Sequence, residues 1–230
     1  SFVDGLESSG LSGDLTVTSE SGDITSIGNY GITVYSGDLT LTAETGGITA
    51  GAYIESYNGS LTLNAESGDI AVSGGIVAGG TATFAAAGDV TLSGGIATGA
   101  WGYFGSLESH NSGQSGDLTV TSESGDITSI SDYGITVFSG DLTMTAETGG
   151  ITQTSGDYIR SQDGSLTLSA GSGDITASGY IRGNDSVTLN ASGGITGGNF
   201  IRANTGSLIL GAESGDIAAS GYIQGQDSVT

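Results

Sequence analysis

Apolar and polar residues alternate along this chain in runs of a few positions, and the runs recur. In SGDLTVTSESGDIT, Ser12 to Thr25, Leu15 and Val17 form one run and Ile24 belongs to a second, with small or acidic residues between them. After a glycine-rich gap a third run follows, such as Ile32 and Val34, or Ile54, or Ile181. Alternation over such short spans has the period of a strand, and no helix former separates the runs. The phrase returns as SGDLTLTAETGGIT from Ser36, GSLTLNAESGDIA from Gly59 and SGDLTVTSESGDIT from Ser115. It returns again as SGDLTMTAETGGIT from Ser139 and GSLTLSAGSGDIT from Gly164, with looser copies from Ser186 and Gly206. Units of this length, each three short strands and three turns, read as coils that stack and bury one another's apolar sides. The pattern predicts an all-β fold, a parallel β-solenoid (β-helix) of about ten coils of roughly 20–24 residues with three short strands per coil. Such a rod would be roughly 50 Å long.

Stacking explains the residue choices. Equivalent positions of successive coils lie one strand spacing apart, roughly 4.8 Å. Alternation predicts one inward stack of Leu15, Leu39, Leu61, Leu118, Leu142, Leu166, Val187 and Leu208. A second is predicted from Ile24, Ile48, Ile70, Val90, Ile127, Ile151, Ile175, Ile195 and Ile217, and the threonines after the leucines face outward as a β-branched ladder. The coil that begins near residue 79 has Phe84 in place of a leucine, and the glycine before most aspartates suits a corner of positive φ.

A larger period sits above the coil. Ser12 to Thr49 and Ser115 to Thr152 match at an offset of 103 residues with four differences, Gly28/Ser131, Asn29/Asp132, Tyr35/Phe138 and Leu41/Met144. The chain divides into an irregular segment or the end of a preceding coil at 1–11, a first solenoid module at 12–98, an irregular aromatic segment at 99–114 and a second module at 115–230 continuous with the first. Both ends read as cut from a longer repetitive protein.

Composition narrows the function classes. Twenty-five acidic residues stand against three arginines and no lysine, a formal net charge of −22. Nucleic acid and anionic membranes require a basic footprint, so neither is an expected partner, and no apolar stretch is long enough to insert in a membrane. An apolar content of 36% suits a thin core to which each coil gives a few side chains. Without cysteine, disulfides say nothing of the compartment.

The texture GxLxLxAxxGxIxAxGxI, present from Gly164 to Ile181, resembles the haemagglutinin-type repeats of filamentous haemagglutinin and related two-partner-secretion adhesins. The resemblance covers nearly the whole chain except residues 1–11 and 99–114. It implies a secreted, right-handed parallel β-helical fibre on a bacterial surface, used for adhesion, biofilm or contact-dependent competition. It carries over no catalytic residue, because the repeat region of that family is mainly a shaft.

Four features are candidates for chemistry. Stacked carboxylates come first: Asp14 with Asp38, Asp117 with Asp141, the run Glu20, Glu44 and Glu66, and Glu123 with Glu147. Like charges one strand spacing apart repel, and oxygen-rich ladders can hold loosely bound Ca²⁺; the alternative is a solvated acidic surface with turn-forming Asp. No other cofactor is expected. The arginines come second. Arg160, Arg182 and Arg202 each follow an aromatic–Ile pair, and Gln224 takes the same place after Tyr222–Ile223. They are expected in one surface charge column beside Asp163 and Asp185, as an Arg/Asp network alongside an aromatic column. A lyase-like alternative makes one arginine the base of a polysaccharide-cleaving β-helix. Third, Trp101, Tyr103, Phe104 and His110 cluster in the irregular segment, as a plug in an incomplete coil, a subunit contact or a glycan contact. Fourth, the threonine ladders resemble flat ice-binding faces, and ordinary β-surface preference is the other reading of them.

Catalysis has little to stand on. Nucleophile elbow, P-loop, zinc and dinucleotide motifs are missing, and a chain with one histidine, no lysine and no cysteine holds few acid–base or nucleophilic groups. The sequence reads as a non-enzymatic extracellular or cell-surface structural protein, the shaft of a bacterial surface fibre, adhesin or self-assembling filament. Its expected partners are further copies of itself and host-surface or matrix glycans. The alternative is a carbohydrate-binding or carbohydrate-cleaving parallel β-helix.

Overall fold

The computed structural model describes residues 7–26, 31–101, 110–111, 116–155 and 158–230. Every regular element among them is a β-strand. A coil has three sides. A five-residue strand such as Leu39–Ala43 belongs to the first sheet, a three-residue strand such as Ile48–Ala50 to the second, and a strand such as Ile54–Ser56 to the third. The first and second sheets have nine strands each and the third has ten, so the rod has nine coils where about ten were predicted. Each strand pairs in parallel with its equivalent in the next coil. At one strand spacing per coil the rod is roughly 40 Å long.

The inward stacks form as the alternation dictates. The leucine stack runs from Leu15 to Leu208, and the isoleucine stack runs from Ile24 to Ile217. The third sheet adds its own stack from Ile32 through Ile135 to Ile223. Ala82 occupies the leucine stack between Leu61 and Leu118, and in the same coil Phe84 pairs with Leu63. Both Ala82 and Phe84 are 0% exposed. A small residue in one stack is offset by a large one in the next, which keeps the volume of that coil's core. Each fully buried aliphatic side chain contributes about 1.5–3 kcal/mol.

The aromatic segment interrupts the sequence and leaves the stack intact. Ala82 pairs with Leu118, Val90 with Ile127 and Ile96 with Ile135, so the coils on its two sides are direct neighbours. No whole coil stands between them, and residues 102–109 and 112–115 of the aromatic segment lie outside the described residues. Its described ends, Ala100–Trp101 and His110–Asn111, form an antiparallel pair beside Ile76–Ala78. At the other end Glu7–Ser12, read as an irregular segment or the end of a preceding coil, is a strand on Ile32–Ser36, with a register shift between Ser8 and Ser12.

Glycine serves the corners chiefly through close approach. Gly37 does have a positive φ, 121°, as expected of a corner glycine. Gly116 does not, yet a Cβ there would fall on the carbonyl oxygen of Gly80 in the coil below. The positive-φ reading is therefore corrected for most glycine–aspartate pairs: among the described residues only Gly22, Gly37 and Gly140 precede an aspartate with φ positive. Stacked corner backbones come too close for a side chain between them.

Candidate functional site

The corner aspartates act within the fold. Asp14 Oδ1 accepts a hydrogen bond from the Asp38 backbone N–H at 2.9 Å, and Asp38 Oδ1 accepts from Ser60 N–H at 2.7 Å. Asp117 and Asp141 repeat this with Asp141 N–H and Ser165 N–H, at 2.9 and 2.8 Å. A second ladder occupies the corner between the first and second sheets. There Asp69 accepts from Asp89 N–H, Asp89 from Asp126 N–H and Asp126 from Gly150 N–H, each at 2.8 Å. Each carboxylate thus takes up a corner N–H of the next coil. Glu20, Glu44 and Glu66 are exposed on successive coils, and among the described residues no group of three or more His, Asp or Glu side chains could hold a metal ion.

The regular pattern fails on the outer side of the third sheet. The middle residue of each strand there faces away from the core by the two-residue period. The column in register reads Thr33, Glu55, Val77, Ala97, Thr136, Arg160, Arg182, Arg202 and Gln224. In the early coils it is covered: Val77 is 1% exposed and Glu55 3%. Ala100–Trp101, paired with His110–Asn111, lies beside the strand that holds Val77.

Glu55 is a buried acid that sequence reasoning missed. Its Oε2 accepts from the Tyr57 hydroxyl at 2.9 Å and from the Thr33 hydroxyl at 3.5 Å. Burial pushes the Glu55 carboxyl above its usual range, and the two hydroxyl donors partly offset this. The Tyr57 hydroxyl is pushed upward too, by burial and then by its bond to Glu55, and its ring stacks on Tyr35 at 5.3 Å. The sequence does contain a signal: Glu55 is the one acid in a column whose other members are neutral or basic.

Further along, the column turns cationic. Arg160, Arg182 and Arg202 occupy three successive coils, each partly exposed. Two residues earlier on the same side, Tyr158, Tyr180, Phe200 and Tyr222 form a ladder of stacked rings with centroids 5.3, 4.7 and 4.9 Å apart. The Arg160 guanidinium lies 4.6 Å from the Tyr158 ring centre and 5.9 Å from that of Phe138, and its Nε donates to Thr136 Oγ1 at 3.2 Å. Burial raises the Tyr180 hydroxyl, against the lowering effect of the Arg160 charge. The Nε atoms of Arg182 and Arg202 are buried without a hydrogen-bond partner.

The expected Arg/Asp network is corrected here. Among the described residues no ion pair within 4.0 Å joins an arginine to a carboxylate. Asp163 and Asp185 are exposed at the turn that follows the strand, and Asp185 accepts from Asn184 Nδ2 at 3.1 Å. The Arg160 guanidinium, set in mid-strand, has ring faces beside it instead. Of the aromatic cluster, Trp101 and His110 are opposite one another in the antiparallel pair, while Tyr103 and Phe104 lie outside the described residues.

The arrangement has a chemical consequence. Rings stacked on one another present their edges outward, so their faces are not open as platforms for sugar rings. No acid and base are held at either side of a shared cleft by the contacts described above. The family model described as Toastrack DUF4097 matches residues 53–178, more than half of the chain and the stretch that includes both Glu55 and Arg160. No curated protein and no solved structure matches the chain.

Proposed function

The chain belongs to the Toastrack DUF4097 family, and on that premise we propose that this β-solenoid repeat domain is a non-enzymatic shaft of an extracellular bacterial fibre or adhesin. One observation carries the reading: the inward stacks continue unbroken through nine coils, on both sides of the aromatic segment, with carboxylates taking up corner N–H groups from coil to coil. A rod joined along its whole length in this way suits the transmission of force and the spacing of parts. The residues invested in it, Leu, Ile, Thr, Gly and Asp, are those of a scaffold. The resemblance to haemagglutinin-type repeats supports the bacterial cell surface as its location, and the strand edges at the ends of the rod support self-association as its mode of assembly. Host or matrix glycans would then meet parts carried by the shaft.

The polysaccharide-cleaving alternative needs an arginine base beside a bound uronate, and the aromatic ladder supports the shaft instead. The test is to incubate the 230-residue chain with a panel of acidic and neutral polysaccharides and follow new reducing ends and unsaturated-uronide absorbance. No product is expected. Product formation that disappears in Arg182→Ala would overturn the shaft reading in favour of a lyase.

A further inference from the structure

Three guanidinium groups on successive coils are an unusual arrangement in a chain of net charge −22. They repel one another at roughly 4.8 Å spacing. Among the described residues none has a carboxylate within ion-pair distance, and all three side chains are partly exposed. The anion that would relieve this column must repeat at the rise of one coil. Such a ladder is present on the same molecule: Asp69, Asp89 and Asp126 are exposed on three successive coils, and each uses Oδ1 within its own rod.

We infer that the Arg160, Arg182 and Arg202 column is a lateral docking surface for the Asp69, Asp89 and Asp126 column of a second copy of this chain. The inference rests on the shaft reading and gives it a bundling contact. The two columns match rung for rung because both follow the strand spacing of the same solenoid. In a three-sided coil the corner between the first and second sheets lies opposite the third sheet. A copy docked by its corner therefore presents its own arginine side to the next, and the contact is heterologous and open-ended. It is also salt-tuned. Near 0.1 M salt the Debye length is about 10 Å, which screens the repulsion between whole rods while close pairs survive; near 1 M it is about 3 Å and the pairs are screened as well.

The test is sedimentation of the full 230-residue chain against protein and salt concentration. Two variants accompany it, Arg182→Gln/Arg202→Gln and Asp69→Asn/Asp89→Asn/Asp126→Asn. Asparagine keeps the Oδ1 acceptor for the corner N–H, and circular dichroism verifies that both variants are folded. The wild type is expected to associate without limit near 0.1 M salt and to return to monomer near 1 M. Each variant should need about tenfold more protein to associate. An equimolar mixture of the two variants should stop at pairs, because each partner retains one of the two surfaces. A wild type that is monomeric at every salt concentration overturns the contact, as does either variant associating like the wild type. Retention of the wild type but not the arginine variant on immobilised polygalacturonate, without self-association, would assign the column to an outside polyanion and overturn it too. A monomeric rod leaves the shaft reading standing, whereas polysaccharide cleavage removes the shaft reading by itself.

Discussion

Residues 12–49 and 115–152 are the same sequence apart from four positions, yet the two copies do different work. Thr33 and Thr136 are twins, both buried in mid-strand on the outer side of the third sheet. The hydroxyl of Thr33 donates to the Glu55 carboxylate, and that of Thr136 accepts from the Arg160 guanidinium. Tyr35 is 47% exposed and stacks on Tyr57, while its counterpart Phe138 is 6% exposed, packed with Ala97, with Arg160 over its ring. Leu15, in the first coil, is only partly buried, whereas Leu118 has a coil on either side and is fully buried. A repeat sequence specifies a coil. The role of the coil comes from the neighbour stacked on it.

The largest expected effect tests that statement in the core. Leu118→Ala should destabilise the rod by about 2–5 kcal/mol, since it opens a cavity between two coils. Leu15→Ala removes the same atoms from a partly exposed end and should cost well under half as much. Urea denaturation of both variants measures the difference, and equal losses would mean that position along the rod does not matter.

A smaller effect is expected at the corners, where the copies agree. Asp117→Ala removes the acceptor of the solvent-exposed Asp141 N–H and should cost about 0.5–1.5 kcal/mol. Asp117→Asn keeps an oxygen at that place and should recover most of the loss. If the two substitutions prove equally harmful in the same denaturation assay, the charge rather than the acceptor is what the corner needs.

The smallest effect distinguishes the acidic neighbour from the basic one. Burial raises the folded-state value for Glu55 above its ordinary 4.5, so the protonated form suits the fold better than the carboxylate. The stability it contributes is present below pH 4.5 and is lost as pH rises through the raised folded value. Glu55→Gln should therefore stabilise the rod more at pH 8 than at pH 4, where its effect should be close to nothing. The difference between variant and wild type, measured by denaturation at both values, isolates this group from the other acids. A variant less stable at pH 8 would show that the hydroxyl donors of Tyr57 and Thr33 outweigh the burial.

Legibility in the sequence followed the range of the interaction. The stacks that begin at Leu15 and Ile24 could be read directly, because alternation is a property of neighbouring residues and repetition aligns one coil with the next. The Phe84 substitution was visible, but its pairing with Ala82 as an exchange of volume needed the register. Asp14 and Asp117 could be read as turn formers, while their function as acceptors for the coil above needed the corner geometry. Arg160, Arg182 and Arg202 could be placed in a column from the recurring aromatic–Ile–Arg triplet. Their partners could not, since a strand position does not say whether a long side chain reaches the following turn or lies along the rings beside it.

The sequence by itself determined the coil, its three strands and the two main inward stacks, all of which follow from a two-residue period and a repeat of one coil. The tertiary structure alone decided that Val77 and Glu55 are buried on a side meant for solvent, that residues 99–114 leave the stack unbroken, and that Arg160 lies against aromatic rings. The physical reason is that a side chain's inward or outward direction is fixed by its own backbone. What covers it depends on groups a full coil or more away, brought there only when the rod is assembled.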